Sequence, residues 1–309
     1  MATLTPDTRL LPHVISSEQF DRVLLDGLFE RAAALDGVRD QRLAGRIMAS
    51  LFYEPSTRTR LSFESAMHRL GGAVIGTESA RTFSSAIKGE TLEDTIRMVA
   101  TYADVIVLRH DQAGASARAA EVSDVPVVNA GDGPGEHPTQ ALLDLFTIQR
   151  ELGHIEGVHI AFCGDLRFGR TARSLALLMA LYPGVSCSFV APEVVQMNPD
   201  ILARLEARGV PFLLSSDLAD VAARADIIYQ TRIQKERFTD PAQFEQARTA
   251  THIDAALVHR MRENAILMHP LPRVDEIDPE VDADPRAAYF RQARNGVAIR
   301  MALLEMLLA

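Results

Sequence analysis

Two kinds of hydrophobic pattern alternate along the chain. Short continuous aliphatic runs, many rich in valine and isoleucine, alternate with longer segments whose apolar residues recur every three or four positions. A continuous β-branched run is typical of a parallel strand buried on both faces, and the second spacing is typical of a helix with one buried face. The strands predicted in this way are 47–53, 73–76, 105–108, 125–129, 158–163, 185–191, 211–214, 227–230 and 265–268. Their alternation with helices predicts an α/β fold with parallel sheets.

The length of the chain predicts two domains. Its 309 residues exceed what a single hydrophobic core usually organises. We expect one domain over residues 1–150 and a second over 151–309. Each would be a doubly wound parallel sheet flanked by helices, and the active site would lie in the cleft between them. The join near 141–156 is expected to be helical, and a C-terminal helix over about 286–308 is expected to pack back toward the first domain.

A helix with a polar first turn is predicted directly after strand 47–53. Its apolar positions are Phe63, Ala66, Met67 and Leu70. Ser56 is the predicted N-cap, so hydroxyl groups and the guanidinium of Arg58 crowd the end of the helix where N–H groups are unpaired. That end favours an anion, and an arginine suits phosphate oxygens. These residues alone leave an ordinary capped surface helix as the alternative.

Polar and charged residues lie at or beyond the ends of several predicted strands. They are Tyr53, Ser56, Arg109, His137, Gln140, Arg170 and Arg232. Ligands of open parallel sheets bind outside the carboxyl ends of the strands, so this shared position is a functional signal, although any single arginine could be an ordinary surface residue. Lys88 lies in a polar loop just before a predicted helix, a position that could present its ammonium group to a ligand. The alternative interpretation of this stretch is an ordinary solvated loop.

The chemistry of these residues favours direct group transfer between two anionic substrates. No nucleophile has an adjacent base in the pattern, and no pair of carboxylates has catalytic spacing. Catalysis would then depend on positioning and on stabilisation of charge.

Composition excludes several other classes of protein. The net charge of −9 argues against a nucleic-acid partner, because phosphate-backbone binding requires a basic face. Cys163 and Cys187 lie in apolar runs and are expected to be buried hydrophobic residues on strands, without a disulfide framework or a cysteine-rich zinc site. No run approaches 18 apolar residues, so we expect no membrane segment and a cytoplasmic protein.

Residues 164–171 nearly match the phosphate-binding P-loop pattern, with a strand before them and a helix after them. Arg170 occupies the position where that motif has lysine. Strand 227–230 is followed by Thr231 and Arg232, and not by a magnesium-binding aspartate. A nucleoside triphosphatase is therefore disfavoured. No G-x-G-x-x-G occurs, which disfavours a dinucleotide-binding fold.

Six segments in order resemble the aspartate and ornithine carbamoyltransferases over about residues 10–308. They are FYEPSTRTRLSFE, KGETLEDT, NAGDGPGEHPTQALLDL, GDLRFGRTARSL, TRIQKERF and MHPLPRVDEI. The ornithine branch would be expected to carry His-Cys-Leu-Pro and a Ser-Met-Gly loop. This chain has His-Pro-Leu-Pro at 269–272 and Thr-Arg-Ile-Gln at 231–234, so it resembles catalytic chains of the aspartate branch. An acceptor with two carboxylates also requires cationic partners.

The resemblance implies a role for each site residue. Those implied for carbamoyl phosphate are Ser56, Thr57, Arg58, Thr59, Arg109, His137, Gln140, Leu271, Pro272 and Ser84. Those implied for aspartate are Lys88, Arg170, Arg232 and Gln234, and the catalytic set is Arg58, Thr59, Arg109 and His137. Arg109 would bridge phosphate and carbonyl, and His137 would donate to the carbonyl oxygen. The amino group would meet Gln140 and the backbone carbonyls of Leu271 and Pro272.

The same resemblance implies the reaction and the assembly. Carbamoyl phosphate and L-aspartate would give N-carbamoyl-L-aspartate for pyrimidine biosynthesis, without a metal or an organic cofactor. A homotrimer is implied, with Ser84 and Lys88 reaching a neighbour's site. The sequence leaves open a regulatory chain or a dihydroorotase-like partner. The alternatives are a non-catalytic assembly subunit of this fold and a carbamoyltransferase for another amino-acid acceptor.

Overall fold

The aliphatic runs form two separate parallel sheets. The computed structural model describes residues 11–78, 89–235, 238 and 240–308. The chain divides into one compact unit of Met1–Leu142 with Asn295–Ala309 and a second of Leu143–Arg294. Each unit contains one of the sheets. The predicted fold class, with parallel sheets flanked by helices, is confirmed.

The sheet of the first unit has four strands in the order β2-β1-β3-β4, all parallel. They are β1 Ile47–Phe52, β2 Ala73–Glu78, β3 Val105–His110 and β4 Val127–Asp132. Its helices are α1 Arg22–Leu35, α2 Thr57–Arg69, α3 Leu92–Ala100 and α4 Ala115–Val122, after a 3₁₀ turn Ser17–Gln19. The predicted strands agree with the observed ones within two or three residues at each end.

Alternate residues of this sheet pack against helices on opposite faces. Ala49 and Ile106 join a buried cluster that includes Ile96 of α3 and Ala119 of α4. On the other face, the hydroxyl of Ser50 lies 3.2 Å from a carboxylate oxygen of Glu64 in α2. Successive side chains of a strand point to opposite sides, so both faces are covered and the strands read as continuous apolar runs.

The sheet of the second unit has five parallel strands in the order β7-β6-β5-β8-β9. They are β5 His159–Cys163, β6 Ser186–Val190, β7 Phe212–Ser215, β8 Ile227–Gln230 and β9 Ile266–Met268. The remaining helices are α5 Pro138–Leu152, α6 Arg170–Met179, α7 Pro199–Ala207, α8 Leu218–Ala222, α9 Pro241–Ala250, α10 Ala255–Arg260 and α11 Tyr289–Leu308, with 3₁₀ turns at Glu193–Val195 and Pro279–Ala283. The division between the units falls within α5 and α11.

The starts of α1 and α2 differ in how they are capped. Ser16 and Gln19 form a capping box, but it caps only a 3₁₀ turn, and Asp21 caps α1 separately. Val23, in the first turn of α1, is 80% exposed because the buried face of this helix passes through Leu24 and Leu28. Ser56 occupies the N-cap position of α2, but its side chain makes no capping hydrogen bond.

The cysteine prediction is confirmed. Cys163 lies in β5 and Cys187 in β6, and both are buried free thiols. Burial raises the pKa of Cys187 to about 12 and raises that of Cys163 further. Among the helices in the described ranges, none is long and apolar enough to cross a membrane.

Candidate active site

The first unit has a topological switch point between β1 and β3. The chain runs from β1 outward to β2 and then returns to β3 on the opposite side of β1. The crevice outside the carboxyl ends of two such strands is where open α/β sheets bind ligands. Phe52 pairs with Arg109 in the register of β1 and β3, so the start of α2 and the side chain of Arg109 belong to this same edge.

The first turn of α2 has no side-chain cap on its backbone N–H groups. The N-cap residue Ser56 leaves the N–H groups of the first turn uncapped, and Thr57 is the first helical residue. Unpaired N–H groups and the positive end of the helix dipole favour an anion there. Thr59 is buried, whereas Arg58 is exposed. Partial desolvation lowers the pKa of Arg58 from its ordinary value, although an arginine remains a cation.

Arg109 is held at the same edge by two groups. Its Nη1 donates to the carbonyl of Ala130 at 3.2 Å, and its Nη2 lies 3.4 Å from Glu54 Oε2. The backbone N–H of Tyr53 donates to the carbonyl of Arg109 at 2.9 Å. Strand β3 continues through His110, so Arg109 lies within the strand and not just beyond it as the sequence suggested. The sequence pattern does not single out Glu54 as a partner of Arg109, although it lies inside the segment FYEPSTRTRLSFE.

The loop between β4 and α5 is fixed by a close backbone contact and by the partly buried carboxylate of Glu136. Gly133 has a φ of +54°, and a Cβ there would meet the carbonyl oxygen of Asp111 at 2.2 Å, so only glycine allows this close approach. Glu136 accepts from Ser16 and Ser17, with oxygen–oxygen distances of 2.6 and 2.8 Å. This loop leads to His137 and Gln140 at the start of α5, and both side chains are buried.

The second unit has its own switch point, between β5 and β8. The chain runs from β5 through β6 to β7 and returns to β8 beside β5. Gly164, at the end of β5, has a φ of +102°, and a Cβ on it would lie 2.1 Å from the carbonyl oxygen of Thr231. The N–H of Thr231 donates to the carbonyl oxygen of Cys163 at 2.8 Å. The segments that carry Arg170 and Arg232 therefore leave the sheet side by side.

The hydrogen bonds of loop 164–169 exclude a P-loop. In that motif, backbone N–H groups of the loop surround phosphate oxygens. Here the N–H groups of Leu166 and Arg167 donate to the carbonyl of Val195, and that of Phe168 donates to a carboxylate oxygen of Asp165. Because these donors are used within the protein, the loop cannot surround a nucleotide phosphate. The prediction against a nucleoside triphosphatase agrees with this geometry.

The remaining predicted residues of the second unit follow β8 and β9. Gln234 lies two residues beyond Arg232, and both side chains are partly buried. Leu271 and Pro272 follow β9, and the peptide bond between them is cis. Leu271 also has a positive φ of 52°. All these segments extend from the carboxyl edge of the second sheet.

Two predicted site residues, Ser84 and Lys88, lie outside the described residues. Within the part of the chain that is described, no group of three or more His, Cys, Asp or Glu side chains is arranged to hold a metal ion.

Comparison with protein families settles the ancestry of the chain. Residues 12–150 match the aspartate/ornithine carbamoyltransferase carbamoyl-P binding domain, and residues 156–307 match the Asp/Orn binding domain of the same family. The chain belongs to this carbamoyltransferase family. The resemblance inferred from the six sequence segments is thereby confirmed.

Individual relatives are similar over nearly the whole chain. Aspartate carbamoyltransferase 1, chloroplastic, of Pisum sativum is 56% identical over 96% of this chain and 79% of its own length. The aspartate carbamoyltransferase catalytic subunit of Methanocella arvoryzae is 50% identical over 96% and 97%. The crystal structure of aspartate transcarbamoylase from Trypanosoma cruzi, in complex with carbamoyl aspartate and phosphate, superposes with a TM-score of 0.93 at 45% identity and covers 100% of both chains.

Proposed function

We propose that this protein transfers the carbamoyl group of carbamoyl phosphate to the α-amine of L-aspartate, giving N-carbamoyl-L-aspartate and phosphate in pyrimidine biosynthesis. The observation that carries the proposal is the placement of Arg170 and Arg232 at the switch point of the second sheet. Two arginines there suit an acceptor that has two carboxylates, and relatives that are 56% identical to this chain are named aspartate carbamoyltransferases.

Carbamoyl phosphate would be bound by residues of the first unit. The phosphate would meet the first turn of α2, with Ser56, Thr57, Arg58 and Thr59 as donors. Arg109, fixed by Glu54 and Ala130, would lie between a phosphate oxygen and the carbonyl oxygen. His137 would donate to that carbonyl oxygen and make the carbon more electrophilic. The amino group would donate to Gln140 and to the carbonyls of Leu271 and Pro272.

Aspartate would be bound through its two carboxylates. Arg170 and Arg232 would form charge-assisted hydrogen bonds with them, assisted by Gln234 and by Lys88. The neutral α-amine attacks the carbamoyl carbon, forming a C–N bond and a tetrahedral intermediate. The bond from carbon to the phosphate oxygen then breaks, and the departing phosphate takes the amine proton. No strong protein base is required, so the protein contributes orientation and charge stabilisation.

The proposal includes the assembly and the location. Residues 1–150 would form the carbamoyl-phosphate-binding domain and residues 151–309 the aspartate-binding domain. The protein would act as a homotrimer in which Ser84 and Lys88 complete a neighbour's site. A cytoplasmic location is proposed from the sequence, in contrast to the relative from Pisum sativum that is named as chloroplastic.

Replacing Arg58 tests the role of α2. Arg58→Ala should lower kcat/KM for carbamoyl phosphate by about 10³, equivalent to about 4 kcal/mol, because paired charge-assisted bonds to the leaving phosphate are lost. The matched control is Arg69→Ala, which removes the same charge from the opposite end of the same helix. It should change kcat/KM by less than about twofold. Equal effects of the two changes would contradict an anion site at the start of α2.

A further inference from the structure

A buried histidine–glutamate pair lies beside the segment that follows β9. His269 and Glu276 are each 2% exposed, and His269 Nε2 lies 2.7 Å from Glu276 Oε1. The N–H of Leu271 donates to His269 Nδ1 at 2.8 Å. Because Nδ1 accepts this bond, the ring proton is on Nε2, and the imidazole is a neutral donor to the carboxylate. Neither residue has a role in the reaction described above.

The pair supplies the hydrogen bonds that an irregular segment cannot make within itself. The second carboxylate oxygen of Glu276 accepts from the N–H groups of Val274 and Asp275 at 3.0 and 3.2 Å. Together with the N–H of Leu271, three backbone donors of segment 271–275 end on these two side chains. These three hydrogen bonds are partly buried, and removing either side chain would take away the acceptor of at least one backbone N–H group, so the pair constrains the path of this segment.

Both members of the pair are themselves anchored to the second unit. The N–H of His269 donates to Gln292 Oε1 at 2.9 Å, and Gln292 Nε2 donates to Asp144 Oδ1 at 2.6 Å. The carbonyl of Glu276 accepts from the N–H of Ile253 at 2.9 Å. The segment is therefore tied to α11 and α5 on one side and to the residues before α10 on the other.

The backbone of Leu271 shows why this anchoring matters. Its φ of 52° is a conformation that a residue with a Cβ adopts only at a cost of about 1–2 kcal/mol. Such a conformation persists where surrounding contacts over-determine it, and it is often found at ligand sites. Along the chain, the carbonyl groups of Leu271 and Pro272 lie between two backbone N–H groups that the pair binds. The N–H of Leu271 donates to His269, and the N–H of Val274 donates to Glu276.

We propose that His269 and Glu276 are positioning residues that aim the carbonyl groups of Leu271 and Pro272 at the amino group of carbamoyl phosphate. This inference rests on the proposed function and deepens it. The pair does not touch the reacting atoms, and its effect is selective. A ligand with an amino group benefits from correctly aimed carbonyls, whereas a ligand with a methyl group in that place does not.

Comparing carbamoyl phosphate with acetyl phosphate isolates this effect. Acetyl phosphate has the same phosphate and carbonyl groups, with a methyl group in place of the amino group. The measured quantity is the dissociation constant of acetyl phosphate divided by that of carbamoyl phosphate. Both constants come from calorimetric titration of the full-length protein, and a fall in this ratio means that the preference for carbamoyl phosphate is lost. The unaltered protein should bind carbamoyl phosphate at least about tenfold more tightly, because the methyl group leaves two acceptors unpaired.

Two substitutions at His269 separate its two hydrogen bonds. His269→Gln keeps a donor near the position of Nε2 and removes the acceptor for the N–H of Leu271. His269→Asn keeps an acceptor near Nδ1 and removes the donor to Glu276. We expect His269→Gln to lower the ratio about tenfold, His269→Asn to lower it less, and both to leave the affinity for acetyl phosphate within about twofold.

Glu276→Gln provides a second, nearly isosteric test. Its amide has one acceptor oxygen where the carboxylate has two, so either the N–H of His269 or the N–H groups of Val274 and Asp275 lose their acceptor, and the ratio should again fall. Glu280→Gln is the matched control, because Glu280 is exposed and lies four residues further along the chain, in the 3₁₀ turn Pro279–Ala283. It should leave the ratio unchanged.

The outcomes that contradict the proposal differ from those that contradict the function. An unchanged ratio in a folded His269→Gln protein, or an equal weakening of both ligands, would overturn the positioning role and leave a merely structural one. Equal binding of the two ligands by the unaltered protein would overturn it as well. Failure of the unaltered protein to bind carbamoyl phosphate at all would instead contradict the proposed function.

Discussion

Tyr229→Phe removes a single hydroxyl group from the buried polar network of the second unit. The hydroxyl donates to Asp144 Oδ2 at 2.6 Å, both residues are fully buried, and the other carboxylate oxygen accepts from Gln292. Burial, followed by the adjacent Asp144, raises the pKa of Tyr229 well above its ordinary value, so the phenol remains a donor throughout the working pH range. Tyr229 lies in β8, directly before the segment that carries Arg232.

The size of the effect follows from this geometry. A hydrogen bond to a charged partner contributes about 1.5–3 kcal/mol, and both groups are fully buried, so removing the hydroxyl leaves the carboxylate of Asp144 with one donor fewer. The change leaves the ring and its packing intact, so no cavity adds to the cost. We therefore expect the free energy of unfolding of the second unit to fall by about 2–3 kcal/mol. With an m-value of about 2–3 kcal/mol/M, its urea midpoint should fall by about 1 M.

Urea denaturation followed by circular dichroism measures this shift, and the same substitution at an exposed tyrosine provides the control. Tyr102 is 56% exposed, and Tyr102→Phe should change the free energy of unfolding by less than about 0.5 kcal/mol. A Tyr229→Phe protein no less stable than the Tyr102→Phe protein would refute the reasoning. It would mean that the hydroxyl of Tyr229 contributes nothing to the buried network.

Three further predictions concern the assembly, the thiols and acid stability. Mixing inactive Arg58→Ala and Lys88→Ala proteins should restore part of the carbamoyl-aspartate production, because some hybrid trimers would contain an intact shared site; no recovery after verified subunit exchange would argue against sharing. Cys163 and Cys187 should react with a thiol reagent at about pH 8 only after denaturation, since burial raises both pKa values; rapid reaction of the native protein would contradict their burial. Burial raises the pKa of Glu276, but the hydrogen bonds from His269 and Val274 outweigh it and leave a net decrease. The ionised carboxylate of Glu276 therefore stabilises the fold above its unfolded pKa. The unaltered protein should have a higher urea midpoint than Glu276→Gln at about pH 6, and this difference should shrink as pH falls through the folded pKa of Glu276. A difference in urea midpoint that stays constant down to about pH 3 would contradict the prediction.

The strands were predictable because their signal is local. A β-branched run such as Val105–Leu108 can satisfy its pattern only as a buried strand, and β3 indeed begins at Val105. The order of strands within each sheet depends on pairings between distant segments, and local pattern does not encode it. The start of α1 shows the limit at helix ends, because two capping signals stand five residues apart and only the second, at Asp21, begins the α-helix.

The candidate site was predictable to the extent that its residues carry charge at strand ends. Arg170 and Arg232 could be named because each follows an aliphatic run. The groups that hold such residues could not be named. The partner of a carboxylate such as Glu54 or Glu276 is decided by the tertiary fold, and an acidic residue in a loop is usually a solvated one. Gly164 likewise matches the first glycine of a phosphate-binding loop in the sequence. In the fold, this glycine allows a close approach to the backbone of Thr231.

The most direct test of the proposed reaction is to measure product formation by the purified protein from carbamoyl phosphate with L-aspartate and, separately, with L-ornithine. The proposal predicts N-carbamoyl-L-aspartate and an equal amount of phosphate with aspartate, and no carbamoylated product with ornithine. Turnover of ornithine without turnover of aspartate would contradict the assignment of Arg170 and Arg232 to a dicarboxylate acceptor. Turnover of neither would contradict the proposed reaction itself.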